Sequence, residues 1–139
     1  MAELIILPSI AIGLIIGLYE AILIHRDVQV PSGRFGHMLH AIVFAIVATF
    51  CTMNVPFVIS SISFLQTVPY LSNALVFRIA IGLIAVIKIH GVSQAIRSSY
   101  GGSVGLGETW FHSLFIGALI VAAPYAYPLL QPSMPVWLK

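Results

Sequence analysis

The chain has 139 residues, of which six are Lys or Arg and four are Asp or Glu, giving a formal net charge of +2. Only 7% of the residues are charged and 60% are hydrophobic, whereas about 25% of the residues of a soluble domain are charged. This composition argues against a soluble enzyme and a disordered tail, and the lack of basic runs leaves no footprint for nucleic acid. We therefore predict an integral membrane protein.

Four stretches are long and apolar enough to cross a hydrocarbon core of about 30 Å, which takes about 20 residues of helix. They cover approximately residues 4–24, 37–59, 75–92 and 109–130. Because lipid offers the backbone no hydrogen-bond partners, each stretch is predicted to be an α-helix. The predicted fold class is all-α, with residues 1–139 forming one domain that is an up-down-up-down bundle of four transmembrane helices.

The first predicted span, 4–24, lacks the basic start and the small-residue cleavage site of a signal peptide, so we expect it to be retained. It is interrupted by one acidic residue, Glu20, about 7 Å along the helix axis from His25. Small residues recur at every fourth position and predict a flat packing stripe, formed by Ser9, Gly13, Gly17 and Ala21.

The second predicted span, 37–59, opens with His37 and His40, which share a helix face because they are three residues apart. Asn54 and Pro56 lie near its end. Proline removes a backbone N–H and frees the carbonyl one turn earlier, so this pair predicts a kink. The small residues predicted to pack on this span are Ala41 and Ala45.

The third predicted span, 75–92, holds Lys88 and His90 near its end. Its first half repeats the first span, because Ile-Ala-Ile-Gly-Leu-Ile at 10–15 recurs letter for letter at 79–84. Two interpretations stay open: a parallel repeat of two helical hairpins, as in some transporters, or a chance match within a sequence drawn from few apolar residue types.

The fourth predicted span, 109–130, follows Glu108, which is four residues before His112, so the two can form a carboxylate–imidazole pair on one face. Helices in lipid associate where small residues let their backbones approach closely. This span carries two such rows, Ser113 with Gly117 and Ala118 with Ala122. They predict contact surface for an oligomer or a larger complex.

The loops predict the orientation of the chain in the membrane. The segments 26–36 and 97–108 carry three arginines, whereas the segment 60–73 carries no charge. Because cytoplasmic loops are enriched in Lys and Arg, we predict that 26–36 and 97–108 are cytoplasmic and that both termini are outside. The predicted location is the cytoplasmic membrane.

The ionisable residues form the most informative pattern. An up-down-up-down path gathers most of them near one membrane face as a polar layer, whereas Arg78 lies near the opposite interface. A charged side chain in hydrocarbon costs about 2.5–3.5 kcal/mol on insertion scales, so these residues are expected to turn inward and to pair. The candidates for proton or cation handling are Glu20, His40, Lys88, His90, Glu108 and His112, while His25 and His37 are expected to solvate the helix ends near the loops.

Several interpretations of this polar layer stay open. The residues can solvate helix ends and pair structurally, or they can shuttle protons, because burial moves carboxyl and imidazole titration toward neutrality. Imidazoles on facing helices also suit Cu, Zn or Fe, with His40, His90 and His112 as candidate ligands. A b-type haem held between two of these histidines is a further alternative. We expect no cofactor, and metal and haem stay open.

No catalytic motif is present, so we do not expect an enzyme acting on its own. The first predicted function is a small non-catalytic subunit of a larger membrane complex, such as an energy-converting or metal-dependent oxidoreductase assembly. Its partners would be lipid and other membrane subunits. The alternatives are a small homo-oligomeric transporter or channel, coupled to protons or cations and centred on Glu20 and the histidines, and a metal- or haem-binding electron-transfer subunit.

Overall fold

The computed structural model of the protein describes residues 4–27, 31–99 and 110–139, with only the backbone described for 26–27, 31–34 and 93–99. Within these residues the fold is all-helical, with six α-helices, two short 3-10 helices after the last of them, and no strand. The α-helices are α1 (Leu7–Asp27), α2 (Pro31–Met53), α3 (Val55–Ser61), α4 (Ser63–Thr67), α5 (Ala74–Ser99) and α6 (Trp110–Leu130).

Four of the helices are long and apolar enough to cross a membrane, as predicted. The candidate membrane spans are Leu7–His25, Phe35–Met53, Ala74–Val92 and Trp110–Ser133. The shorter of these spans have 19 residues, which is about 29 Å of helix and close to the thickness of a bilayer core. Length and hydropathy together are therefore typical of a membrane protein.

The second predicted span, 37–59, is divided between two helices. α2 ends just before Asn54, whose backbone angles are not helical (φ −118°, ψ 41°), and α3 begins just after it with Pro56 in its first turn. Pro56 has no N–H to donate to the carbonyl of Thr52 one turn earlier. Arg78 from α5 donates its Nε–H to that carbonyl instead, at 3.0 Å.

A second proline is compensated in the same way. Pro124 lies inside α6, so it cannot donate to the carbonyl of Ile120. The hydroxyl of Thr52 lies 3.1 Å from that carbonyl and 3.0 Å from the carbonyl of Thr49. Side chains of α5 and α2 therefore reach two backbone acceptors freed by proline, which matters in a bilayer because lipid supplies no donor.

Asn54 ties the segment before α1 to the break between α2 and α3. Its side-chain oxygen accepts from the N–H of Ile5 at 2.7 Å, and its amide donates to the carbonyls of Ile5 and Phe50, both at 3.0 Å. The side chain is only 3% exposed. Asn54 thus fixes where α1 begins relative to the end of α2.

The closest contact between helices joins α1 to α2. A Cβ atom on Gly13 would lie 2.6 Å from the Cα of Ile46, and one on Gly17 would lie 2.7 Å from the Cα of Ile42. Such distances leave room only for glycine, so the two backbones touch directly. The other small residues predicted to pack on these helices are also buried: Ser9, Ala21, Ala41 and Ala45.

α5 and α6 form a similar contact. Gly82, in the repeated hexapeptide, lies against α6, where a Cβ on Gly117 would be 3.0 Å from the Gly82 carbonyl oxygen. Gly82 therefore faces α6 as Gly13 faces α2, although a Cβ on Gly82 would first meet the side chain of Val121 rather than backbone. Ser113 is fully buried, whereas Ala118 and Ala122 are exposed on the outer surface of α6.

We expect a single methyl group at Gly17 to weaken the bundle. Gly17→Ala should lower the free energy of unfolding by roughly 1–3 kcal/mol, because the new Cβ overlaps backbone that cannot move aside. Gly91→Ala is the matched control, since a Cβ there meets no atom within 4 Å, and it should be neutral or stabilise by up to about 1 kcal/mol. Unfolding in detergent, followed by circular dichroism, measures both. Equal stabilities would contradict the direct backbone contact.

Candidate functional site

Glu20 is the buried acidic residue at the centre of the candidate site. It lies on α1 about 20 Å along the axis from Leu7. Its side chain is only 1% exposed. Because a carboxyl group in an apolar environment is costly when charged, its neighbours decide its chemistry.

Four ionisable side chains from three helices border one small cavity. Glu20 comes from α1, His37 and His40 come from α2, and Lys88 comes from α5. About 10 Å³ of this cavity is open to the centre of a water molecule, which is close to the space that one bound water requires. The apolar part of the lining consists of Ala41, Phe44, Ile89 and Val92.

The glycine contact between α1 and α2 explains why Glu20 meets these histidines. Gly17 lies against Ile42, and the contacts pair rising residue numbers on α1 with falling numbers on α2. Glu20 is one turn beyond Gly17, so it faces α2 about one turn before Ile42, where His37 and His40 project. The register of the hairpin therefore creates the site.

Lys88 approaches the site from the third helix. Its ammonium nitrogen lies 4.5 Å from the centre of the Phe44 ring, within the range of a cation–π interaction. The side chain is half-buried. A lysine in this position supplies positive charge beside the cavity while its stem packs against apolar surface.

The two histidines of the site differ in exposure. His37 is only 5% exposed, and among the described residues neither of its ring nitrogens has a hydrogen-bond partner. His40 is exposed. A water molecule in the cavity would provide His37 with a partner, and His40 would connect the cavity to the surface.

The structure divides the predicted polar layer. It brings Glu20, His40 and Lys88 together around the cavity. His90 instead stacks on Trp110, with ring centres 3.8 Å apart, and the ring of His112 lies 6.2 Å from that of Phe111. Neither of these histidines lines the cavity. Glu108 and the side chains of the three loop arginines lie outside the described residues.

His37 is the member of the site that the sequence analysis did not select, since its position near a loop suggested a solvated helix end. Its burial follows from the hairpin register. The signal was present in the sequence, because hairpin symmetry about the short connection between α1 and α2 places Glu20 opposite the His37–His40 turn.

The described residues contain no group of three or more His, Cys, Asp or Glu side chains arranged to hold a metal ion. His40, His90 and His112, the candidate metal ligands, therefore do not form such a group within the described part of the chain. Comparison with protein-family models, curated proteins and solved structures finds no match to this chain.

We expect the contact between Lys88 and Phe44 to stabilise the fold measurably. In a double-mutant cycle, Phe44→Leu and Lys88→Met should show a coupling energy of about 0.5–2 kcal/mol, because the cation–π interaction is partly desolvated. The matched control pairs Lys88→Met with Phe50→Leu, whose ring packs against Phe57 instead. The control pair should be additive within about 0.5 kcal/mol. Additivity in both cycles would refute the contact.

Proposed function

We propose that the chain is a four-helix integral membrane protein with an up-down-up-down path. Support comes from pairs of contacts in which residue numbers rise on one helix and fall on the next. Between α2 and α5, Thr52 contacts Arg78 while Phe44 contacts Lys88. The glycine contacts of α1 with α2 and of α5 with α6 follow the same antiparallel pattern.

Exposed aromatic side chains support insertion into a bilayer. Trp and Tyr are enriched at both membrane–water interfaces, where one end of the ring is wet and the other is apolar. In this chain Trp110 is exposed at the start of α6. Toward the other end of the bundle, Tyr70 is exposed between α4 and α5, and Trp137 is exposed in the second 3-10 helix after α6.

The proposed orientation places both termini outside and the arginine-bearing segments 26–36 and 97–108 in the cytoplasm. In a Cys51→Ser background, Ser133→Cys and Ser72→Cys should react with an impermeant maleimide added to whole cells, since both positions are exposed. Gly36→Cys, also exposed, should react only after permeabilisation. Labelling of positions 133 and 36 from the same side would exclude this topology.

We propose further that the Glu20 site takes up and releases a proton or a cation, so that the protein works as a small coupled transporter or channel. The observation that carries this proposal is the meeting of Glu20, His37, His40 and Lys88 around a cavity of one-water size. Inward-facing ionisable residues in membrane helices are typical of proton and ion pathways.

The chemistry of the site fits a change of protonation. A carboxylate beside an ammonium group forms a neutral pair, whereas a proton on either the carboxylate or an imidazole leaves a net positive charge. Because a net charge is energetically unfavourable in a low dielectric, the neutral and the positively charged site favour different arrangements of the helices. Glu20 and Lys88 would form the pair, and His37 would exchange protons through a water in the cavity.

The other predicted function, an accessory subunit of a larger complex, depends on small-residue surface left free for docking. The glycine row of α1 is buried against α2, and Gly117 is buried against α5. Of the predicted rows, Ala118 and Ala122 remain on the outer surface. A subunit function therefore has less support than transport, and co-purification with other polypeptides in a fixed ratio would restore it.

We expect Glu20→Gln to abolish transport by the purified protein. In liposomes that contain a pH-sensitive dye, the wild type should dissipate an imposed proton gradient, and the variant should fall to the rate of protein-free liposomes. Gln keeps the shape of the side chain but cannot ionise. For a coupled cation, a gradient of that cation should drive a dye response that the variant lacks.

Histidine variants provide the matched controls. His37→Asn should slow transport because its ring borders the cavity. His90→Asn should leave the rate unchanged because its ring stacks on Trp110 away from the cavity. Circular dichroism and size-exclusion chromatography verify that each variant is folded. A wild type without activity, or equal losses at positions 37 and 90, would overturn the proposal.

A further inference from the structure

An apolar groove runs along the outer surface between α5 and α6. Its volume is about 470 Å³, and it extends on α6 from Leu114 to Tyr125, a length of about 16 Å. Its floor is the close contact between Gly82 and Gly117. Ala118, Ala122 and Leu83 are exposed along it. The groove is therefore long, narrow and open to the surroundings of the helices.

One end of the groove is cationic. Tyr125 lines this end, and the guanidinium carbon of Arg78 lies 5.0 Å from the centre of its ring. An Nη–H of Arg78 donates to the Tyr125 hydroxyl at 3.2 Å. Arg78 lies only four residues after the start of α5, about 6 Å along the axis. The charge is thus close to one end of the membrane span.

Arg78 retains hydrogen-bonding capacity toward a ligand. A guanidinium group has five N–H donors. Within the described part of the chain, one donates to the Thr52 carbonyl and one to the Tyr125 hydroxyl. The hydroxyl of Tyr125 accepts from Arg78 and can still donate its own proton. Together the two side chains offer several donors and one positive charge to an anion.

We propose that this groove binds an anionic phospholipid, with one acyl chain lying between α5 and α6 and the headgroup phosphate held by Arg78 and Tyr125. Guanidinium groups pair strongly with phosphate oxygens. An acyl chain in the groove makes close van der Waals contact with its small-residue floor, and the phosphate contact supplies the preference for an anionic lipid. The groove has the apolar lining that an acyl chain requires, and its cationic end has the positive charge that a phosphate requires.

The charge at the groove favours a headgroup with net negative charge. A choline group would bring a second cation close to Arg78. Glu20, the acidic side chain that the structure describes, lines the other cavity and not this groove, so it does not balance that added charge. A free phosphate would use only the charged end. A lipid uses both the charged end and the apolar floor, which is why we assign the occupant as a lipid.

The test is native mass spectrometry of the purified protein with phosphatidylglycerol or phosphatidylcholine of identical acyl chains. The wild type should retain phosphatidylglycerol preferentially. Arg78→Gln should bind it about tenfold less tightly, as expected for loss of a charge-assisted hydrogen bond. Ala118→Phe should abolish binding of the lipid because the new ring fills the space of its acyl chain in the groove.

Val43→Phe is the matched control, since Val43 is 54% exposed on α2 and does not line the groove. It should retain the lipid as the wild type does. Arg78→Gln also removes the donor to the Thr52 carbonyl and can lower stability, so Ala118→Phe, at an exposed position, keeps the test decisive.

Equal retention of the two lipids would overturn the proposal, as would undiminished binding of phosphatidylglycerol by Ala118→Phe. A dimer that binds no lipid and that Ala118→Phe dissociates would identify a second copy of the chain as the occupant and would also overturn it. The lipid site is independent of the Glu20 site, so proton transport by Ala118→Phe shows separately whether the proposed function holds.

Discussion

The direct backbone contact between α1 and α2 determines most of this structure. In lipid, apolar surface gains nothing by leaving its solvent, so helix association depends on close van der Waals approach. Gly13 and Gly17 provide that approach, and because neither tolerates a Cβ, they fix the register of the hairpin. Glu20 is one turn further along α1, and the same register therefore places it inside the bundle, on the cavity that His37 also lines.

The two ends of the bundle use polar groups differently. At the end near Asn54, neutral amide and hydroxyl groups and Arg78 reach backbone carbonyls, two of which are freed by prolines. At the other end, ionisable groups surround a cavity. Between them lies a core of buried aliphatic side chains, among them Ile12, Ile16, Ile116 and Ile120. In the described residues this apolar core separates the cavity from the Asn54 end, so the proposed transfer of a proton or cation would require the helices to rearrange.

The sequence was informative where length, hydropathy and helical spacing decide the outcome. Four apolar helices follow from these properties, and the structure contains them. From the sequence, the break at Asn54 is predicted only as a kink, because the sequence shows that Pro56 frees a carbonyl but not that Arg78 reaches it from another helix.

The site is harder to predict from the sequence for the same reason. The positions of Glu20, His40 and Lys88 along their helices place them in the same polar layer. Which residues of that layer line a common cavity depends on how each helix is rotated about its axis. Rotation placed His37 inside the cavity and His90 against Trp110.

Arg78 illustrates how a single charge can be accommodated within a candidate membrane span. Placing arginine at the centre of a membrane helix costs about 2.5–3.5 kcal/mol on insertion scales and less near its end, and a net hydrogen bond to a charged group offsets about 1.5–3 kcal/mol. The carbonyl of Thr52 and the hydroxyl of Tyr125 are therefore sufficient to hold the side chain near the end of α5. They also orient it, since one partner is on α2 and the other on α6. A lipid phosphate at the remaining donors would meet a guanidinium group that is already fixed, so little conformational entropy would be lost on binding.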